Sequence, residues 1–254
     1  MISFNFNNKS VIVSGGGTGI GKEIAKSFFE HGASVTITGR RSNILEKTVK
    51  HISKEYPESK ANISFYKCDM SNENLVSKLF KNVKKINGRI DILINNCGDW
   101  SLTKINKLDD DHITKHFNNV LKTTILSTKF ASNYLSEQGA IINIGSFAGI
   151  IPIRNGSIYS LLKSAINTFT KSSAAELGKQ SIRVNCIIPG LIKTPMTSDY
   201  IDKNYDFLIK PISLGRIGEC KEVSNAVLFL CSDLASYITG ATLEVSGGKY
   251  LTQL

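Results

Sequence analysis

Three side chains of the sequence have types and spacings that suit acid-base chemistry. Tyr159 and Lys163 stand four residues apart in a helical pattern, and Ser146 lies thirteen residues before the tyrosine. Residues at i and i+4 share a helix face, so Lys163 is expected beside Tyr159. A free phenol has a pKa of about 10, and a nearby ammonium lowers that pKa and makes proton transfer easier at neutral pH. We interpret Ser146, Tyr159 and Lys163 as candidate catalytic residues, with Ser146 donating to the same substrate oxygen.

A glycine-rich loop follows the first short apolar run of the chain. The segment reads Ser-Gly-Gly-Gly-Thr-Gly-Ile-Gly over residues 14–21 and leads into an amphipathic stretch. Glycines let a backbone approach a pyrophosphate, whose charge is met by the N–H groups and dipole of the following helix. A strand before and a helix after are the context that dinucleotide binding requires. The candidate contacts are Gly15, Thr18, Gly19, Ile20 and Gly21.

Two arginines close the second apolar run. Arg40 and Arg41 follow Gly39, at the place where an acidic residue would hold the ribose 2′-hydroxyl of NAD. Arginine pairs instead with a 2′-phosphate, and glycine leaves no carboxylate to repel it. The sequence therefore favours NADP(H) over NAD(H), with Arg40 as the main contact and Arg41 as the alternative contact. The alternative is that both arginines are solvated at a loop tip.

The composition is typical of a soluble globular protein. The chain has 254 residues, 41% of them hydrophobic and 20% charged, and no apolar run of the length that spans a membrane. The N-terminal segment lacks the order of a signal peptide, so a cytoplasmic location is expected. Five cysteines without a CxxC pair predict neither a disulfide framework nor a thiolate metal site. The net charge of +10 is spread along the chain, which argues against a nucleic-acid partner.

The pattern of the whole chain predicts an α/β protein. Short β-branched runs alternate with amphipathic stretches, as in βαβ units with a parallel sheet. The predicted strands lie near 11–13, 34–38, 63–66, 90–94, 140–144, 182–188 and 241–245. The predicted helices lie near 19–31, 43–55, 72–86, 109–136, 157–179 and 220–231, with Ser42 and Ser71 as caps of the second and third. The long irregular stretch at 189–218 is expected to be a substrate lid.

These motifs together resemble the classical short-chain dehydrogenases/reductases over nearly the whole chain. The residues that carry the resemblance are the loop 14–21, Asp69, Asn95-Asn96-Cys97-Gly98, Ser146, Tyr159 with Lys163, Arg183-Val184-Asn185, Pro189-Gly190 with Thr194, and Ser246-Gly247-Gly248. The resemblance implies a single doubly wound Rossmann-type domain spanning residues 1–254, with a seven-stranded parallel sheet, helices on both faces and a lid near 190–218.

The resemblance also implies roles for the candidate residues. Tyr159 would be the proton donor or base, Lys163 would lower the pKa of Tyr159 and hold the nicotinamide ribose, and Ser146 would polarise the substrate oxygen. Hydride would pass directly between nicotinamide and carbon, so no metal is required. Further implied cofactor contacts are Asp69 at the adenine, Asn95 beside a ribose, and Ile192 and Thr194 at the carboxamide.

One departure from the family pattern bears on proton delivery. An ungapped comparison places Val120 where many members have the asparagine of a proton relay. Asn119 is one position away, about 100° around a regular helix, so it replaces that asparagine only if the helix is locally bulged. If Val120 occupies the position, the sequence favours a reaction with less need of the relay, such as that of enoyl- or dienoyl-thioester reductases.

The substrate is predicted only by class. Residues 149–153 and the apolar lid side chains indicate a hydrophobic carbonyl or alcohol, free or carried on coenzyme A or acyl carrier protein. The resemblance implies a homodimer or homotetramer, and a non-catalytic cofactor-binding protein is the alternative from another class.

His112 and His116 beside three aspartates resemble a metal pair, but we expect both on the solvated side of their helix and no metal site.

Overall fold

The strands of the structure form a seven-stranded parallel sheet. The computed structural model describes residues 4–100 and 102–251, so the first three residues of the N-terminal segment lie outside it. The strands are β1 (Ser10–Ser14), β2 (Ser34–Gly39), β3 (Ile63–Lys67), β4 (Ile92–Asn95), β5 (Ala140–Ile144), β6 (Arg183–Pro189) and β7 (Thr242–Val245). Their order in the sheet is β3-β2-β1-β4-β5-β6-β7. The predicted doubly wound α/β fold is confirmed.

Helices cover both faces of this sheet. They are α1 (Gly19–Glu30), α2 (Ser42–Glu55), α3 (Glu73–Asn87), α4 (Asp110–His116), α5 (Thr123–Tyr134), α6 (Ser157–Leu177), α7 (Ser198–Ile209) and α8 (Cys220–Cys231). Side chains of a strand alternate between faces, and β1 shows this directly. Val11 and Val13 join the core under α1, α2 and α8, whereas Ile12 joins the core under α3, α5 and α6. Among the described residues, no helix is both long and apolar enough to cross a membrane.

The order of the strands decides where the site lies. From β1 the chain winds outward through β2 and β3, then returns to the other side of β1 with β4. Loops leaving β1 and β4 therefore diverge at the carboxyl edge and leave a crevice there, the usual place for a ligand in such sheets. In register, Ser14 of β1 is paired with Asn95 of β4, which brings the glycine loop and the segment after β4 together.

Two helix starts differ from the sequence prediction. Ser42 is the first residue of α2 rather than its cap, since Arg41 occupies the cap position. Asn72, not Ser71, caps α3 and accepts a hydrogen bond from the Leu75 N–H. Ser71 lies one residue before the cap position, and its hydroxyl donates to the Asp69 carboxylate.

The predicted helix at 109–136 is interrupted. Asp109 caps α4, and the helix then widens into a π-helical turn at Phe117–Lys122 before α5. His116 lies in the interior at 4% exposure, so the prediction that both histidines are solvated was wrong for this one. No group of three or more metal-ligating side chains occurs in the part of the chain that the structure describes.

Candidate active site

A cavity of about 900 Å³ runs along the carboxyl edge of the sheet. We call its two ends the cofactor half and the substrate half. The cofactor half is lined by residues from 15–20, 38–45 and 68–70, and the substrate half by Trp100 and residues from 151–154, 196–208 and 249–250. The three candidate catalytic residues lie between these halves and line the same cavity. The size is within the range of small-molecule and cofactor sites.

The glycine loop forms the floor of the cofactor half. Gly15 and Gly19 have φ of +64° and +53°, a left-handed conformation that side chains with a Cβ rarely adopt. The Gly15 N–H donates to the Thr38 carbonyl at 2.9 Å, which fixes the loop to the end of β2. Gly21 does not line the cavity. A Cβ at Gly21 would overlap the Gly15 carbonyl oxygen, so this glycine permits the close approach of α1 to the loop.

The residues of this half fit a nicotinamide dinucleotide. The cap residue Thr18 makes no side-chain hydrogen bond to α1, which leaves the N–H groups of the first turn free to meet a phosphate. The Thr38 hydroxyl is buried and has no partner among the described residues. Arg40 and Arg41 line the same half and supply positive charge. When bound, such a cofactor supplies or accepts a hydride.

Asp69 lines the cofactor half close enough to Arg40 to feel its charge. Its carboxylate accepts hydrogen bonds from the Ser71 N–H at 2.9 Å and the Ser71 hydroxyl at 2.7 Å. Burial by itself raises the pKa of Asp69, but these hydrogen bonds and the charge of Arg40 outweigh it and lower that pKa. Asp69 therefore stays ionised at neutral pH.

The structure places the side chain of Asn95 in the interior and not in the cavity. Asn95 is 3% exposed and does not line the cavity. Its amide nitrogen donates to Asn143 at 2.8 Å and to Thr128 at 3.1 Å, so it links β4, β5 and α5 inside the protein. The next residue, Asn96, lines the cavity instead and donates to the Gly15 carbonyl at 3.1 Å. The sequence marked the right strand end, but the alternation of strand side chains placed the contact one residue later.

Ser146, Tyr159 and Lys163 come together as the sequence predicted. Ser146 lies two residues after the end of β5, while Tyr159 and Lys163 lie one turn apart near the start of α6. The Lys163 Nζ lies 5.9 Å from the centre of the Tyr159 ring and donates to the Ile144 carbonyl at 2.8 Å. Ile192 and Thr194 line the cavity as well.

Burial shifts the pKa values of this cluster. It raises the pKa of Tyr159, and the adjacent Ser146 hydroxyl opposes that shift. It lowers the pKa of Lys163 to about 8. The charge of Asp99 also raises the pKa of Tyr159, and the lowering of that pKa by Lys163 stays a prediction.

The π-helical turn resolves the question of Asn119 and Val120. Val120 is completely buried and packs with Phe147, Leu162 and Ile166. Asn119 lines the cavity, accepting from the Arg40 guanidinium at 3.2 Å and donating to Asp99 at 3.3 Å. The bulge that the sequence analysis required for Asn119 is present, and Val120 does not face the cavity.

The substrate half is closed by residues that the sequence analysis identified only in part. α7 lies within the predicted lid and presents Tyr200, whose ring meets Trp100 edge-on at 5.6 Å between centres. Asp99, Trp100 and Lys249 also line the cavity and were not predicted. The first two follow the Asn-Asn-Cys-Gly segment directly, so their position after β4 was a usable signal, whereas Lys249 gave none.

Comparisons with known proteins agree with this geometry. Residues 15–249 match the family described as "Enoyl-(Acyl carrier protein) reductase". The 3alpha-hydroxysteroid dehydrogenase of Mediterraneibacter gnavus is 35% identical, over 94% of this chain and 96% of that protein. The 3-oxoacyl-[acyl-carrier-protein] reductase FabG of Chlamydia trachomatis is also 35% identical, over 95% of this chain and 97% of that protein.

A solved structure shows the same fold. A short-chain dehydrogenase/reductase from Brucella melitensis, titled a glucose/ribitol dehydrogenase, superposes with a TM-score of 0.93 at 28% identity. The match covers 99% of this chain and 100% of that one. Members of this family bind a nicotinamide cofactor and act on carbonyl or alcohol groups. The chain belongs to the short-chain dehydrogenase/reductase family of oxidoreductases.

Proposed function

We propose that this protein is an NADP(H)-dependent reductase of hydrophobic ketones, or a dehydrogenase of the corresponding alcohols. The observation that carries the proposal is that Ser146, Tyr159 and Lys163 line one cavity with the glycine loop and Arg40. In this mechanism the Ser146 hydroxyl binds the substrate oxygen and Tyr159 gives that oxygen its proton during reduction. Buried Lys163 supplies an ammonium beside the Tyr159 ring, and Asn119 supplies an amide group to the same cavity.

The preference for NADP(H) rests on charge. Arg40 and Arg41 line the cofactor half, and Asp69, the nearby carboxylate, is already paired with Ser71. A 2′-phosphate would accept hydrogen bonds from a guanidinium, which carries several donors in a plane. NAD(H) lacks the 2′-phosphate that these arginines would bind.

The substrate half supports a hydrophobic carbonyl compound. Its lining includes apolar side chains from three segments: Trp100, Ile151, Pro152, Ile153, Met196, Phe207 and Leu208. The name of one relative describes the dehydrogenation of a hydroxysteroid. The name of another describes the reduction of a 3-oxoacyl group carried on acyl carrier protein. An acyl group carried on coenzyme A or acyl carrier protein is therefore one form that the substrate takes in this proposal.

The test is a substrate panel followed by NADPH absorbance. It contains steroid and aryl ketones, 3-oxoacyl thioesters, and enoyl and dienoyl thioesters, each with NADPH and with NADH. We expect oxidation with ketones or 3-oxoacyl thioesters and a higher kcat/KM for NADPH. Turnover of enoyl or dienoyl thioesters alone would identify the other reaction class of the family. Tight NADPH binding without oxidation by any substrate would make the protein non-catalytic and refute the proposal.

A further inference from the structure

Lys249 places a cation in the substrate half of the cavity. It follows Gly248 near the carboxyl end of β7, and an antiparallel bridge with Ile212 holds its backbone. Its Nζ lies 5.7 Å from the centre of the Phe147 ring and 5.4 Å from that of the Tyr250 ring. The two rings stack 6.0 Å apart, and both line the cavity. The ammonium therefore rests on two aromatic rings that line the cavity.

No carboxylate of the described residues balances this charge. Lys249 has no ion pair or side-chain hydrogen bond in the part of the chain that the structure describes, and burial lowers its pKa. The acidic residues that line the cavity have other partners, Asp69 with Ser71 and Asp99 with Asn119. A partly buried cation without a counter-ion costs free energy, which an anionic ligand would offset.

The position of the ammonium restricts the kind of anion. Phe147 directly follows Ser146, the residue proposed to bind the reacting oxygen. An anionic group over the Phe147 ring would therefore be only a short chain away from the carbonyl carbon. A phosphate at the far end of a pantetheine arm would lie too far from that carbon to reach Lys249. A carboxylate of the substrate itself meets both requirements.

We propose that Lys249 is a specificity-determining residue that binds the carboxylate of a hydrophobic oxo or hydroxy acid. This inference rests on the proposed function, since it names the substrate class of that same site. Arg154 lines the same half of the cavity and adds to its positive charge. The apolar lining holds the body of the substrate, and Lys249 holds its charged end.

The first test compares a charged substrate with its neutral counterpart. It measures kcat/KM for acetylbenzoate and its methyl ester with NADPH, in the wild type, Lys249→Met and Lys249→Arg. Methionine keeps the length and apolar contacts of the side chain but removes the charge. We expect the wild type and the arginine variant to prefer the acid, and the methionine variant to lose about tenfold on the acid alone, the size of one charge-assisted hydrogen bond. Lys210→Met is the matched control, since Lys210 is exposed at the end of α7 and does not line the cavity.

The outcomes separate this inference from the proposed function. Reduction of both compounds without preference in the wild type would overturn the inference and leave the proposed function intact. An equal loss on acid and ester in Lys249→Met would also overturn it, because that result indicates a packing role. If neither compound is reduced, the role of Lys249 is decided by measuring how tightly each variant binds an acid and its amide.

Binding is measured independently of turnover. Trp100 is the only tryptophan of the sequence and lines the substrate half, so its fluorescence reports on ligands there. Phenylbutyrate and phenylbutyramide are titrated into the NADP⁺ complex of each variant. Tighter binding of the acid that is lost in Lys249→Met supports the inference, and equal binding of acid and amide in the wild type refutes it.

Discussion

The cofactor half of the cavity is formed by loops at adjacent strand ends, whereas the substrate half is formed by side chains from segments distant in the sequence. In the cofactor half, the glycine loop is tied to β2 through the Thr38 carbonyl and to the end of β4 through Asn96. In the substrate half, Trp100 and Lys249 come from two loops and Tyr200 comes from α7. A phosphate binds to backbone N–H groups that approach it closely, and many related chains can provide these groups. A substrate needs particular side chains, which can change without altering the sheet.

The largest effect is expected where the two halves meet. Tyr159→Phe removes the proposed proton donor and keeps the ring, so kcat should fall about 10²- to 10⁴-fold. The variant should still bind NADPH, because the glycine loop and Arg40 are untouched. Steady-state kinetics and cofactor titration measure the two quantities. Full activity in this variant would remove Tyr159 from the mechanism.

The buried charge of Lys163, which also lies where the two halves meet, should lower the free energy of unfolding at neutral pH. Burial lowers its pKa from 10.5 to about 8, so the ammonium is disfavoured in the folded state. Lys163→Met should therefore be more stable than the wild type at neutral pH, and inactive. Between pH 8 and 10.5, Lys163 is protonated in the unfolded state but largely neutral in the folded state. The free energy of unfolding of the wild type therefore rises with pH in this range, and the advantage of Lys163→Met becomes smaller. Urea denaturation of both proteins across this pH range tests the sign.

A change within the cofactor half should act through packing. Gly21→Ala places a methyl group against the Gly15 carbonyl and the Asn96 amide, and we expect a loss of about 1 to 3 kcal/mol in the free energy of unfolding. NADPH binding should weaken as the loop shifts. The matched control is Gly178→Ala, a position of ordinary helical φ where a Cβ meets nothing within 4 Å. Chemical denaturation should show no loss for the control.

A change at Arg40 in the cofactor half should have a smaller effect, which differs between the Kd for NADPH and the Kd for NADH. Arg40→Ala removes one charge-assisted contact to a 2′-phosphate, so the Kd for NADPH should rise about tenfold while that for NADH is unchanged. Fluorescence titration of the reduced cofactors gives both constants. An unchanged ratio of the two would leave Arg40 as a solvated arginine that only contacts Asn119.

The smallest effect is expected in the substrate half. Tyr200→Ala removes the edge contact with Trp100, which is worth about 0.5 to 1.5 kcal/mol. KM for the ketone should rise several-fold, and the Kd for NADPH should not change. The opposite result, a loss of cofactor affinity without a change in KM, would contradict the division into two halves.

Much of the fold and of the cofactor half could be predicted because their signals are local. Each strand is a short apolar run, and the glycine loop, Arg40, Tyr159 and Lys163 are recognised from neighbours within a few residues. The errors were also local in kind. Asn95 was assigned one residue away from Asn96, and Ser71 was assigned as a cap although its hydroxyl binds Asp69. Such choices depend on which face a side chain takes and which competing partner it finds.

The sequence by itself determined the parallel sheet, the glycine loop and the types of the catalytic residues, because periodicity and spacing within one element are sufficient for these. Only the tertiary structure decided that the helix widens at Phe117–Lys122 so that Asn119 faces the cavity and Val120 faces the core. It also decided that Lys249 meets Phe147, a residue about a hundred positions earlier in the chain. The register of a bulge and contacts between distant loops depend on the packing of the whole chain, and no short segment encodes them.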